Sequence, residues 1–129
     1  MNNTDAIPGL VWKLLLIIDA REPKHELMVA RCIQSGIPSE ARHLPIGDML
    51  WIAQGLRRHT IGGAATTVVE AELLMGTIIE RKTTPDLVSS LFGTRYMEQR
   101  LRLKHSGQPQ ILFLIEGDIQ KDVHPNFRT

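Results

Sequence analysis

Apolar positions along the chain follow two rhythms. Residues 13–19 form a short unbroken apolar run closed by a charge, the pattern of a strand buried on both faces, and Gln110–Glu116 repeats it. The β-branched and apolar content of residues 72–82, and of a stretch from about 49 to 54, predicts further strands, at least four in all. Helical spacing takes over after Pro23, where Leu27, Ala30 and Ile33 recur before Gly36 supplies a stop. A second helix is predicted from Thr84, with Pro85 at its first helical position and Leu87, Val88 and Leu91 facing inward. A third runs from near Arg95 to Lys104, with Met97 and Leu101 as core contacts, Glu98 and Arg102 as a surface pair, and Gly107 as its end. Residues 55–67 lack periodicity, contain Gly62 and Gly63, and are expected to be a flexible loop between two strands. The order strand, helix, strands, helices, strand predicts an α/β domain, a mixed sheet flanked by helices.

Length and composition narrow the class. A chain of 129 residues is the size of one compact domain, and a 43% hydrophobic content predicts a folded interior. Cys32 is the only cysteine, which excludes an intramolecular disulfide and a cysteine-rich zinc site and fits a reducing, intracellular compartment. The apolar run 14–18 is far shorter than the roughly 20 residues that span a bilayer, so no membrane association is expected. With a formal net charge of +1, any contact with nucleic acid must come from local patches. Arg57, Arg58 and His59 form one such patch, and Arg95, Arg100, Arg102, Lys104 and His105 the other. On charge alone both read as solvated surface. No GxxxxGK[ST] or GxGxxG phosphate loop is present, which sets aside a nucleotide-binding domain.

Candidate chemistry gathers at predicted strand ends. The two-residue period of a strand puts Glu80 and Lys82 on one face and Arg81 on the other. A carboxylate that holds a hard cation, beside an ammonium that orients water and neutralises developing charge, suits phosphodiester hydrolysis. Taken alone, Glu-Arg-Lys reads as a solvated strand end. Mg²⁺ calls for a second acid from a neighbouring strand, and Gly47-Asp48 supplies one, although Gly-Asp is more often a simple turn. Asp19 and Glu22 add two acids where the first strand leaves the sheet, a place where α/β sheets tend to bind ligands, and where helix capping is the plainer role.

Together, Ile18-Asp-Ala-Arg-Glu22, Gly47-Asp48, Glu80-Arg-Lys82 and Asp86 resemble the GDx(n)ERKx(3)D signature of the XPF-type nucleases, which have a restriction-endonuclease-like fold. Gly47-Asp-Met-Leu-Trp-Ile-Ala-Gln54 and Arg95-Tyr-Met-Glu-Gln-Arg-Leu-Arg-Leu-Lys104 resemble the Mus-type branch more closely than the XPF branch. The resemblance implies metal ligation by Asp48 and Glu80 with help from the Arg81 carbonyl, support from Asp19 and Glu22, Lys82 at the nucleophilic water, and Asp86 as a further acid. It also implies that Arg95, Glu98 and Gln99 border the active site, so that Arg57, Arg58, Arg95, Gln99, Arg100 and Lys104 become candidate DNA contacts. The implied cofactor is Mg²⁺, with Mn²⁺ as a substitute; the implied partners are branched DNA and a second nuclease-like subunit. Pro85 departs from the pattern where Mus-type proteins often carry an acid.

The expected organisation is a lead over residues 1–12, a nuclease domain over 13–117, and a tail over 118–129 that is short beside the family's dimer-forming helices and helix-hairpin-helix module. The leading expectation is a metal-dependent endonuclease that cuts flaps, forks and nicked junctions in DNA repair and recombination. The alternative is a catalytically silent nuclease-like module for DNA binding or dimerisation, against which the retention of Asp19, Glu22, Asp48, Glu80, Lys82 and Asp86 counts. Trp12 and Trp51 are expected to be packing residues.

Overall fold

Both apolar runs belong to one five-stranded sheet. The computed structural model describes residues 9–122, and in chain order these give β1 (Val11–Asp19), α1 (His25–Gln34), β2 (Ser39–Arg42), β3 (Met49–Ile61), β4 (Ala64–Thr83), α2 (Thr84–Leu91), α3 (Arg95–Lys104), β5 (Gln110–Glu116) and α4 (Ile119–Asp122). The strand order is β2-β1-β3-β4-β5. β2 lies parallel to β1 and β5 parallel to β4, while β3 runs antiparallel to both of its neighbours. Four strands therefore share one direction, and their C-terminal ends meet the start of β3 along a single edge. Asp19, Asp48, Glu80, Lys82 and Glu116 all fall at or near that edge.

The first apolar run builds the centre of the core. Leu15 and Ile17 pack with Leu44, Leu50 and Ile52 on one face of the sheet. Leu16 and Ile18 pack with Met49 on the other, covered by Met28, Val29 and Cys32 of α1 and by Trp51. Each such Leu or Ile contributes about 1.5–3 kcal/mol of burial, which anchors β1 and with it the acids at its exit. The expected packing role holds for Trp51, whereas Trp12 lies over Gly55 and stays 38% exposed.

Several expectations need correction. Residues 55–67 are not a flexible loop: β3 and β4 continue through them as a hairpin in which Ile61 pairs with Ala64 around Gly62 and Gly63. Both glycines have positive φ, 58° and 82°, as a two-residue hairpin turn of the primed type requires. Thr, Val and Ala flanking a Gly-Gly pair were the signal, masked by the absence of an alternating pattern in a ribbon exposed on both faces. β2 was not anticipated, because Ser-Glu-Ala-Arg carries no apolar run.

The inward faces of the later helices also differ from expectation. Leu91, Met97 and Leu101 are exposed, while Ser90 and Leu103 are buried. Helical spacing in α3 fits a second stripe, Tyr96, Gln99 and Leu103, and this one meets the sheet, with the Tyr96 ring 6.1 Å from that of Phe113. Glu98 takes the Thr94 hydroxyl as its partner at 2.9 Å instead of Arg102. β1 begins two residues before the expected boundary at residue 13.

Candidate active site

Asp48 is held from three sides. Its N–H donates to the Ile79 carbonyl of β4 at 2.9 Å, its carbonyl accepts from Asp19 N–H at 2.8 Å, and its Oδ2 accepts from Arg81 N–H at 2.7 Å. The residue before it must be glycine: φ at Gly47 is 75°, and a Cβ there would run into Ile78 Cγ2. The turn thus presses against β4 and carries the Asp48 carboxylate to the end of the strand that bears Glu80 and Lys82. Arg81 touches Asp48 through its N–H.

Two further carboxyls feel Asp48. Glu22 stands one turn beyond β1, and burial, then a shared hydrogen bond with Asp48 and the charge of Asp48, raise its pKa to about 7 despite the opposing Arg81 guanidinium. Glu22 therefore holds its proton up to about neutral pH beside the Asp48 carboxylate. Burial and then the Asp48 charge also raise Glu80, against the pull of Lys82 and Arg102. Close acids that hold protons against their ordinary tendency mark a site with uncompensated negative charge.

Strand alternation separates the cationic groups as expected. Lys82 is buried, and its Nζ donates to Gln99 Oε1 of α3 at 2.5 Å. Arg81 turns the other way. Its Nε and Nη2 donate to the two carboxylate oxygens of Glu116 at 2.6 and 2.7 Å, and its Nη1 to Glu22 Oε2 at 3.3 Å. That fork ties the ends of β4 and β5 to the turn after β1.

Asp19 is buried at the same edge, but its carboxylate faces Arg21 and the Leu44 N–H. Burial alone would raise its pKa; the hydrogen bonds from Arg21 and Leu44 outweigh that and lower it. Asp86 lies exposed in the first turn of α2, where its N–H donates to Thr83 Oγ1, and among the described residues its carboxylate has no partner. The structure thus gathers Glu22, Asp48, Glu80, Arg81 and Lys82, sets Asp19 next to them through the backbone, and leaves Asp86 apart.

The candidate DNA contacts divide. Arg95, Glu98, Gln99 and Arg102 line a groove on α3, and Tyr96, Arg100 and Lys104 line another with Ile111 and Phe113. Arg57 and Arg58 sit on the far part of β3, roughly 30 Å from Asp48 at about 3.3 Å per residue, and Arg57 pairs with Glu70 at 2.8 Å. Sequence reasoning missed Glu116, Arg21 and the approach of Arg102 to Glu80, since each depends on pairings between distant segments.

Among the described residues, no three His, Cys, Asp or Glu side chains converge into a protein-only metal cage. Mg²⁺ does not ask for one: it keeps several waters and uses one or two carboxylates. The donor set of Asp48 and Glu80, hard oxygens with excess negative charge and Glu22 beside them, fits such an ion.

Comparison with known proteins agrees with this geometry. The ERCC4 domain family matches residues 18–128. The crossover junction endonuclease MUS81 of Oryza sativa subsp. japonica is 40% identical over 111 residues, covering 83% of this chain and 15% of that protein. The structure-specific endonuclease subunit MUS81 of Rattus norvegicus is 32% identical over 115 residues, covering 84% and 20%. This chain thus spans a fifth or less of the length of these relatives. Among solved structures, XPF from Aeropyrum pernix in complex with DNA superposes with a TM-score of 0.57 at 22% identity, covering 90% of this chain and 44% of that one, which establishes the fold. With the family matched over most of its length and relatives above 30% identity, this chain belongs to the ERCC4 domain family.

Proposed function

We propose that this chain is the catalytic module of a structure-specific DNA endonuclease that hydrolyses phosphodiester bonds in flaps, forks and nicked junctions with Mg²⁺, in DNA repair and recombination. The observation that carries the reading is the meeting of Asp48, Glu22 and Glu80 with a buried Lys82 at one sheet edge. Asp48 and Glu80 would hold the ion, which when bound supplies a Lewis acid for the scissile phosphate and an activated water. Gln99 holds the Lys82 ammonium on the side of the sheet that carries Glu80, where it orients the attacking water and offsets charge on the phosphorane-like transition state. The Arg81 N–H fixes Asp48, and the fork from Arg81 to Glu116 and Glu22 keeps the strand ends in register.

Arg95, Gln99, Arg100 and Lys104 on α3 are the proposed DNA contacts nearest the acids, with Arg57 and Arg58 offering a distal one. A net charge of +1 gives little nonspecific attraction, so binding by this chain alone is expected to be weak and a second nuclease-like subunit to strengthen it. The test is cleavage of flap, fork and linear duplex DNA with protein in excess, with and without Mg²⁺. Metal-dependent incision that prefers branched substrates supports the reading. Binding of branched DNA without incision in either Mg²⁺ or Mn²⁺ would overturn it in favour of a silent module.

A further inference from the structure

Between α3 and β5 lies a groove of about 400 Å³ lined by Tyr96, Arg100, Lys104, Ile111 and Phe113. Its walls follow from two periodicities. Residues 96, 100 and 104 fall four apart on one stripe of the helix, and 111 and 113 two apart on one face of the strand. Tyr96 and Phe113 form an aromatic floor, with ring centroids 6.1 Å apart and planes tilted by 39°. The pair joins α3 to β5, yet both residues are only half-buried.

Charge and position suit this groove to an anion that carries a flat apolar part. Arg100 and Lys104 are exposed, and among the described residues neither makes an ion pair, whereas carboxylates hold Arg21, Arg42, Arg57 and Arg81. No acid lines the groove. Phe113 is the registered neighbour of Glu80 in the parallel pair of β4 and β5, so the two side chains leave the same face of the sheet one strand spacing apart, about 4.8 Å. Gln99, which holds Lys82, follows Tyr96 by three residues on α3. The groove therefore lies beside the acids and the ammonium of the candidate active site.

We propose that this groove receives an unpaired base of single-stranded DNA, which stacks on Tyr96 and Phe113 while Arg100 and Lys104 hold the phosphates on either side of it. Every base has a π face, so stacking of this kind is tolerant of sequence. It is not tolerant of pairing: in a duplex the faces are covered by neighbouring bases, and extruding one costs energy that an unpaired strand does not spend. As a refinement of the nuclease reading above, on which it rests, the groove gives the chain a means to select the single-stranded side of a flap or fork and to seat it next to Glu80 and Lys82.

The test reads binding in chelator, apart from cleavage. Fluorescence anisotropy with the whole chain compares oligo(dT) of about ten nucleotides with an abasic chain that has the same phosphates and no bases; the abasic chain should bind at least about tenfold more weakly. Tyr96→Phe should keep the affinity for oligo(dT). Tyr96→Leu should lower it towards that of the abasic chain, and leave binding of the abasic chain itself unchanged. In the parent chain, an oligonucleotide carrying 5-iodouracil should cross-link under ultraviolet light to Tyr96 or Phe113, located by mass spectrometry. Equal binding of the two oligonucleotides, no binding of either, or cross-links confined to residues outside the groove would overturn the proposal. A chain that passes these tests but makes no incision with Mg²⁺ or Mn²⁺ would sink the nuclease reading and leave the base site standing.

Discussion

Glu22→Gln should make the metal-free protein more stable above neutral pH. In the folded chain, burial and Asp48 hold the Glu22 pKa near 7, against an ordinary value of 4.5. A raised carboxyl pKa means that the folded state binds the proton more tightly than the unfolded one. The stabilisation is therefore complete below pH 4.5 and is lost as pH rises through about 7. At about 1.4 kcal/mol per pH unit, the interval corresponds to a loss of about 3 kcal/mol. Glutamine removes the charge that causes the loss, but it also gives up the 3.3 Å ion pair with Arg81, which takes back roughly 1 kcal/mol. A net gain of about 1–2 kcal/mol at pH 8 remains, read as a rise of about 3–8 °C in Tm by thermal unfolding in chelator. At pH 4.5 the gain should vanish, leaving the variant equal to the parent or slightly below it. Parallel stability curves for the two proteins from pH 4.5 to 8, or a variant less stable at pH 8, would refute the idea that Glu22 and Asp48 crowd one another.

Other substitutions separate chemistry, binding and fold. Lys82→Ala should lower single-turnover cleavage by about 10²–10⁴-fold while changing DNA affinity little, since one ammonium is a small part of a phosphate-contact set; normal cleavage would remove Lys82 from the mechanism. Arg100→Ala and Lys104→Ala should weaken binding to every DNA sequence alike and reduce the slope of log affinity against log salt by about 0.9 for each lost phosphate contact, measured by fluorescence anisotropy. Gly47→Ala should cost about 2–4 kcal/mol in denaturant unfolding, from a left-handed backbone that alanine resists and a clash with Ile78. An alanine variant as stable as the parent would show that the Gly47-Asp48 turn is not pinned against β4.

The parts of the fold legible in the sequence are those whose signal is local. The unbroken apolar run of β1 states its own burial, and Pro85 after Thr84 marks the start of α2, where Thr83 caps the Asp86 N–H as the chain turns into the helix. The similar run of β5 marks a strand but not its burial, because β5 lies at the edge of the sheet and leaves Leu112, Leu114 and Ile115 exposed. Alternation along Glu80, Arg81 and Lys82 correctly separated the arginine from the other two. Pairings between distant segments were not legible. Glu116 closes a run identified as a strand, yet nothing near it in sequence shows that Arg81 is its partner. Arg102 carries no local mark that it approaches Glu80. In α3 the sequence offers two stripes at helical spacing, Met97 with Leu101 and Tyr96 with Gln99 and Leu103, and only the position of β5 selects the second. The hairpin at Gly62-Gly63 escaped because an edge ribbon exposed on both faces has no buried side to impose alternation.

The central claim, that Asp48 and Glu80 form a cation site, is tested most directly by diffraction from crystals soaked in Mn²⁺ at a wavelength where manganese scatters anomalously. The account predicts one strong anomalous peak between the two carboxylates, stronger at pH 8 than at pH 6 because loss of the Glu22 proton adds negative charge beside the ion. Soaked crystals with no peak there at pH 8, or with manganese bound elsewhere while the Asp48 and Glu80 side chains point to opposite faces of the sheet, would contradict it.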